Sequence, residues 1–268
     1  MSDTKINGLC DNLEDCKLDV TKKKISDEEL FKQPPPEEDC PICLIKLPTL
    51  NTGCTYMPCC GKVICSGCCY APVFDHLGNE VDNEKCAFCR TEYPSTTEEM
   101  IKRIKERTEA NDPMAIYRMG IYYRDGICGL AQDHTKALEL FHRAAELGHA
   151  DAYSKIGYAH DGGGVEVDEK KAIYYYELAA IRGSTSARFN LGISEIDAGN
   201  MKRALNHWMI AVRSGSSKSL EIIKELYSDG YATKEDYTKA LRSYQAYLSE
   251  IKSDQRDKAA VAREKRYY

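Results

Sequence analysis

No stretch of this 268-residue chain approaches the ~18 consecutive apolar residues of a membrane-spanning helix, and its first 30 residues lack the uncharged apolar core of a secretory signal. A basic surplus is also missing. Residues 1–39 carry 11 acidic side chains against 6 lysines, which leaves 31 charges of each sign in residues 40–268. A neutral body gives no reason to expect nucleic acid, because phosphate binding leans on positive charge. The glycines at 162–164 lack the Gly-Lys-Ser/Thr ending of a phosphate loop, and no Cys, His and Asn pattern of a protease accompanies the cysteines. These absences disfavour a membrane span and secretion and leave an enzyme with a small-molecule cofactor unsupported. The expected location is the cytoplasm or nucleus, and Arg263, Lys265 and Arg266 are too few for an import signal.

What is present is concentrated. With 43% hydrophobic residues most of the chain should fold. The exception expected is residues 1–36, an acidic solvated tail ending in the spacer Pro34-Pro35-Pro36. Ten of the thirteen cysteines lie between Cys40 and Cys89, and only Cys10, Cys16 and Cys128 fall elsewhere. Without a secretion signal, such paired cysteines are metal ligands more often than disulfides.

The ligand spacing is Cys40-x2-Cys43-x15-Cys59-Cys60-x4-Cys65-x2-Cys68-x17-Cys86-x2-Cys89. Eight thiolates in four pairs suffice for two tetrahedral zinc ions. Order and gaps over residues 37–95 resemble a RING finger of the all-cysteine type. That resemblance implies interleaved pairs, with Cys40, Cys43, Cys65 and Cys68 on one ion and Cys59, Cys60, Cys86 and Cys89 on the other. The family usually separates its third and fourth ligands, so the adjacent Cys59 and Cys60 depart from it, and Cys54 or Cys69 could replace one of them. His76, the only histidine in this region, sits in a variable loop and reads as a surface residue.

The RING resemblance further implies a ubiquitin ligase without covalent catalysis, which holds a ubiquitin-charged conjugating enzyme (E2). Ile42 matches the apolar contact of the first zinc loop and Arg90 the basic residue that bridges enzyme and ubiquitin. Ala87 stands where proline is common, and no tryptophan follows Cys68. The alternative is a zinc-binding adaptor with no ubiquitin chemistry.

Thr96 and Glu99 form a capping-box pattern that starts a helical linker over 96–111. From residue 112 the chain repeats. Asp/Asn-x-x-Lys/Arg-Ala recurs at Asp133, Asp168, Asn200 and Asp236, at intervals of 35, 32 and 36 residues. Ala115 to Gly120, Ala152 to Gly157 and Ala187 to Gly192 precede the first three copies, and Gly148, Gly183 and Gly215 follow them. This period indicates helix pairs. Asp or Asn would cap the second helix of each pair, and the trailing glycine would end it. Tyr117, Tyr122, Tyr153, Tyr174 and Tyr175 read as packing residues. The segment Ala152, Gly157, Tyr158, Gly162, Gly164, Val165, Asp168, Lys171, Ala172, Ala179, Gly183 is similar to the Sel1-like repeat, a relative of the tetratricopeptide repeat. The resemblance implies a solenoid over 112–252 that binds substrate or partner proteins. The fourth copy, with Lys224 in place of glycine, and a charged helix over 253–268 would cap the end. The expected fold class is a small zinc-stapled RING-like domain followed by an all-α helical-repeat solenoid.

Overall fold

The computed structural model describes residues 25–48, 53–71, 73–74, 77, 80–81 and 85–264. Cys10, Cys16, His76, Lys265 and Arg266 lie outside them. The described residues open with a short helix, α1 (Asp27–Leu30), and continue into the cysteine-rich module. There β1 (Cys54–Met57) and β2 (Lys62–Cys65) pair antiparallel with Tyr56 opposite Val63. They are followed by α2 (Ser66–Tyr70) and a second hairpin of β3 (Val73–Phe74) and β4 (Glu80–Val81).

All further elements are helices: α3 (Thr97–Glu109), α4 (Pro113–Asp125), α5 (His134–Glu146), α6 (Ala150–His160), α7 (Glu169–Ile181), α8 (Thr185–Asp197), α9 (Met201–Arg213), α10 (Ser217–Ser228), α11 (Lys234–Ile251) and α12 (Asp254–Glu264). From α4 to α11 they form a solenoid of stacked pairs, each packed against the next. Asp133 and Asp168 cap α5 and α7, accepting from the amides of Lys136 (2.9 Å) and Lys171 (3.0 Å). Two expected caps work differently. Asn200 makes no side-chain cap bond, and its amide donates to Glu195 (2.9 Å). In the fourth unit Thr233 is the cap, and Asp236 completes a capping box three residues inside. Gly148, Gly183 and Gly215 hold φ of 93°, 97° and 87° where the second helices end.

The repeat rests on a ring set against a glycine. Phe141, Tyr176 and Trp208, each four residues after the repeat's alanine, lie flat on Gly120, Gly157 and Gly192 of the preceding helix. A β-carbon on Gly120 would stand 2.6 Å from Phe141, and one on Gly157 2.7 Å from Tyr176. Real β-carbons do not approach that closely, so the absent side chain is what lets the paired helices close up.

The tail is where sequence and structure part. Residues 25–36 are not a solvated spacer. Ser26 caps α1, accepting from the amide of Glu29 (3.3 Å). Ile25 and Leu30 belong to one buried cluster with Ala172, Tyr176, Ala179, Ala180, Ala187 and Leu191. The arm therefore lies on the array, because three apolar side chains among its charges find a groove there. The C-terminal segment is a separate helix: the chain breaks at Lys252 and Ser253, and α12, instead of capping the end of the array, returns to pack on α2.

Candidate metal centre

Two turns of one design build the site. In Cys40-Pro41-Ile42-Cys43 the amide of Leu44 donates to Cys40 O (2.9 Å) and that of Cys40 to Ile45 O (2.9 Å). In Cys86-Ala87-Phe88-Cys89 the amide of Arg90 donates to Cys86 O (2.9 Å) and that of Cys86 to Thr91 O (2.8 Å). Each turn ends on a left-handed residue, Leu44 at φ 56° and Arg90 at φ 62°. Such a conformation is costly for non-glycine residues and is held here by paired backbone bonds.

The other cysteines come from the first hairpin and from α2, which follows it. Cys59 and Cys60 sit in the β1–β2 turn, where the amides of Cys60 and Gly61 both donate to Met57 O (3.2 and 2.8 Å) and Gly61 takes φ 71°. Cys65 ends β2 and caps α2, its Sγ accepting from the amide of Cys68 (3.4 Å).

The fold thereby brings eight sulfurs into two groups, Cys40, Cys43, Cys65 and Cys68, and Cys59, Cys60, Cys86 and Cys89. Within each group all lie within 4.8 Å of one another. Cys54 and Cys69 fall in neither, their thiols facing Pro48 O and Ile64 O at 3.9 Å. The sulfurs of Cys43 and Cys65 are 3.8 Å apart, those of Cys60 and Cys86 3.9 Å, and those of Cys59 and Cys89 3.4 Å. These separations are far beyond the ~2.05 Å of a disulfide. They match the ~3.8 Å edge of a sulfur tetrahedron around a zinc ion ~2.3 Å away. Both groups fit a metal ion.

The electrostatics are alike in the two. Burial raises the Cys40 thiol, but the amides of Cys43, Cys65 and Ile42 outweigh it and hold it at about 7. Burial likewise acts against Cys89, and the hydroxyl and amide of Thr91 bring it down to about 6. Burial pushes upward the thiols of Cys43 and Cys68 in the first group and of Cys59 and Cys60 in the second. Cys40 and Cys89 thus ionise more readily than a free thiol, while Cys43, Cys68, Cys59 and Cys60 resist. A divalent ion would displace the remaining protons and add structural stability, joining distant segments of a small domain.

Outer neighbours brace the first group. Buried Arg256 of α12 donates to Lys46 O (2.7 Å), Ile45 O (3.0 Å) and Ile251 O (2.8 Å), with Nη2 3.9 Å from Cys43 Sγ. At the second group Arg107 of α3 donates to Cys59 O (2.8 Å), and Tyr56 donates to Asp112 Oδ2 (2.7 Å) at the start of the array. Neither arginine is distinguishable from an ordinary helix charge in the sequence. Ile42 and Phe88 occupy equivalent places in the two turns, 41% and 44% exposed, and Leu44 is 75% exposed. Arg90 is exposed on the same turns.

Comparison with known proteins places the solenoid. The Sel1 repeat family model matches residues 113–149 and 150–184. Over 136 residues the chain is 29% identical to "ERAD-associated E3 ubiquitin-protein ligase component HRD3B" of Arabidopsis thaliana, a match covering 51% of this chain and 21% of that protein. It is 25% identical over 142 residues to "Chitin synthase regulatory factor 3" of Schizosaccharomyces pombe, covering 50% of this chain and 15% of the relative. Matches therefore span about a fifth or less of those relatives' lengths. A crystal structure of a Sel1 repeat protein from Oxalobacter formigenes superposes at TM-score 0.50 with 29% identity, covering 57% of this chain and 64% of that one. Residues 113–184 are Sel1 repeats, and α8 to α11 continue the same helix-pair plan. No helix of the described residues is long and apolar enough to cross a membrane.

Proposed function

We propose that this protein is an adaptor, in which the Sel1 array binds one protein and the cysteine module, stapled by two zinc ions, presents a second surface. The observation that carries this reading is the set of hydrogen bonds joining the two parts. Tyr56, Arg107 and Arg256 tie the metal groups to both ends of the array, an arrangement suited to fixing the distance between two partners. The resemblance of the array to a ubiquitin-ligase component and to a regulatory factor supports an assembly role. The test is bridging. Substitutions at exposed Tyr158 and Ile193 of the array and at Leu44 and Phe88 of the module are expected to release different partners from one complex in sequential pull-downs. Loss of the same single partner by both sets overturns the reading.

A second reading, a RING-type ligase that holds a charged E2, is favoured by one observation: Ile42, Phe88 and Arg90 stand exposed on the paired turns. Self-ubiquitination with a panel of conjugating enzymes separates the two. The adaptor reading expects silence. Activity that Ile42→Ala and Arg90→Ala abolish establishes the ligase.

A further inference from the structure

The arm at residues 25–36 occupies a built groove. Leu30, 1% exposed, is inserted among Ala172, Tyr176, Ala179 and Ala180 of α7 and Ala187 and Leu191 of α8. Phe31 packs its ring 4.8 Å from that of His207 on α9, and the Arg203 guanidinium lies over the Phe31 ring at 5.2 Å. Arg203 also pairs with Asp27, linking the arm's acidic cap to Glu195. Pro34 then crosses a small hollow lined by Ala180, Gly183, Thr185 and Arg188.

In the hollow and beside it, beneath Phe31, lie polar groups the arm does not satisfy. Arg188 is 2% exposed, and its Nη atoms reach only Ala180 O and His207 Nδ1, each at 3.3 Å. Its Nε, together with Thr185 Oγ1 and His207 Nε2, finds no protein partner. Core contacts in a settled domain rarely leave so many buried polar atoms unpaired. A segment that covers a site without completing its hydrogen bonds has the character of a placeholder.

We infer that the groove formed by α7, α8 and α9 is a docking site for a short segment of a partner protein, an acidic helical turn followed by Leu-Phe, and that residues 25–36 fill it in cis until such a segment displaces them. Apolar pockets for Leu and Phe give the affinity, and Arg203 selects the acidic turn. The inference rests on reading the array as an interaction module, and it names the partner's chemistry.

The probe is a fluorescein-labelled peptide of residues 25–37, titrated by anisotropy into the full zinc-loaded chain. Tethering gives the cis arm a millimolar effective concentration, so the unaltered chain should bind the peptide at least ~100-fold more weakly than a Leu30→Asp, Phe31→Ser variant whose own arm is released. The peptide carrying the same two changes should not bind either chain. Should the variant fold poorly by circular dichroism, a protease site inserted between Pro36 and Glu37 converts the arm into a separable ligand, which labelled peptide should exchange for. Equal, negligible binding by both folded chains, or a severed arm that never exchanges, overturns the inference. A dimer that Leu30→Asp dissociates would also overturn it, by giving the groove to a second copy. The bridging experiment does not depend on this result, so the adaptor reading can stand while this one fails.

Discussion

Placing a single methyl group on Gly157 tests the packing rule of the solenoid. The new carbon would stand 2.7 Å from Tyr176 Cδ1 and 3.1 Å from Ala172 O. The ring cannot swing away easily, since Tyr176 is 1% exposed and its hydroxyl donates to Asp161 (3.1 Å). Overpacking of this kind costs about 1–3 kcal/mol. Against it stands the gain of ~1 kcal/mol from replacing glycine by alanine inside a helix. Gly157→Ala should therefore destabilise by about 1 kcal/mol net. In a Tyr176→Val background, which removes the ring atoms responsible, the same change should stabilise by about 1 kcal/mol, a coupling of about 2 kcal/mol. Urea unfolding of the four zinc-loaded chains, followed at 222 nm, gives the cycle. Finding the same sign in both backgrounds would falsify the ring-on-glycine account of the repeat.

Further outcomes follow from the metal groups and the buried cations. Native mass spectrometry should find two zinc ions per chain, one in Cys40→Ser, and two still in Cys54→Ser and Cys69→Ser; a missing ion in either of the last pair would reassign the ligands. Arg256→Ala should speed chelator extraction of one ion by about tenfold, as loss of an outer neighbour typically weakens a site 10- to 100-fold, and unchanged kinetics would remove its bracing role. His207 is held at about 3 by burial and by Arg188 and Arg203, against an ordinary 6.5. Its folded value is depressed, so its contribution is present above pH ~6.5 and is lost as pH falls towards 3. Between pH 7 and pH 5 the loss is about 2 kcal/mol. His207→Gln should flatten the stability profile by that amount in urea titrations, and an unchanged slope would contradict it.

How far the chain explains itself depends on range. The Asp and Gly marks of each helix pair are local signals, and they locate α4 to α9 because capping acts within one turn. The recurring Gly120, Gly157 and Gly192 are visible as a period, but their meaning is not, since the ring each one accepts lies 16 to 21 residues downstream. The four cysteine pairs announce metal chemistry; that Cys59 and Cys60 share a group, with Cys54 and Cys69 outside, depends on the hairpin register. The arm had a local signal that its charge concealed. Ser26 and Glu29 have capping-box spacing, and Ile25 and Leu30 occupy the flanking positions of a hydrophobic staple. Arg256 had none, because the partners that tie it to the metal module, Ile45 and Lys46, stand more than 200 residues away.

A stack of helix pairs ordinarily behaves as an open spring, free to stretch, and loses its end units first. Here the terminal coil is fastened to the piece that precedes the first one, by Arg256 and by the Lys46–Glu250 contact at 2.9 Å. The molecule is thus a bracelet with a clasp, linear in its covalent bonds and circular in its contacts. Tension on either extremity is shared around the whole circumference, so melting should proceed as one event, and removing the 17 residues after Ile251 should restore fraying.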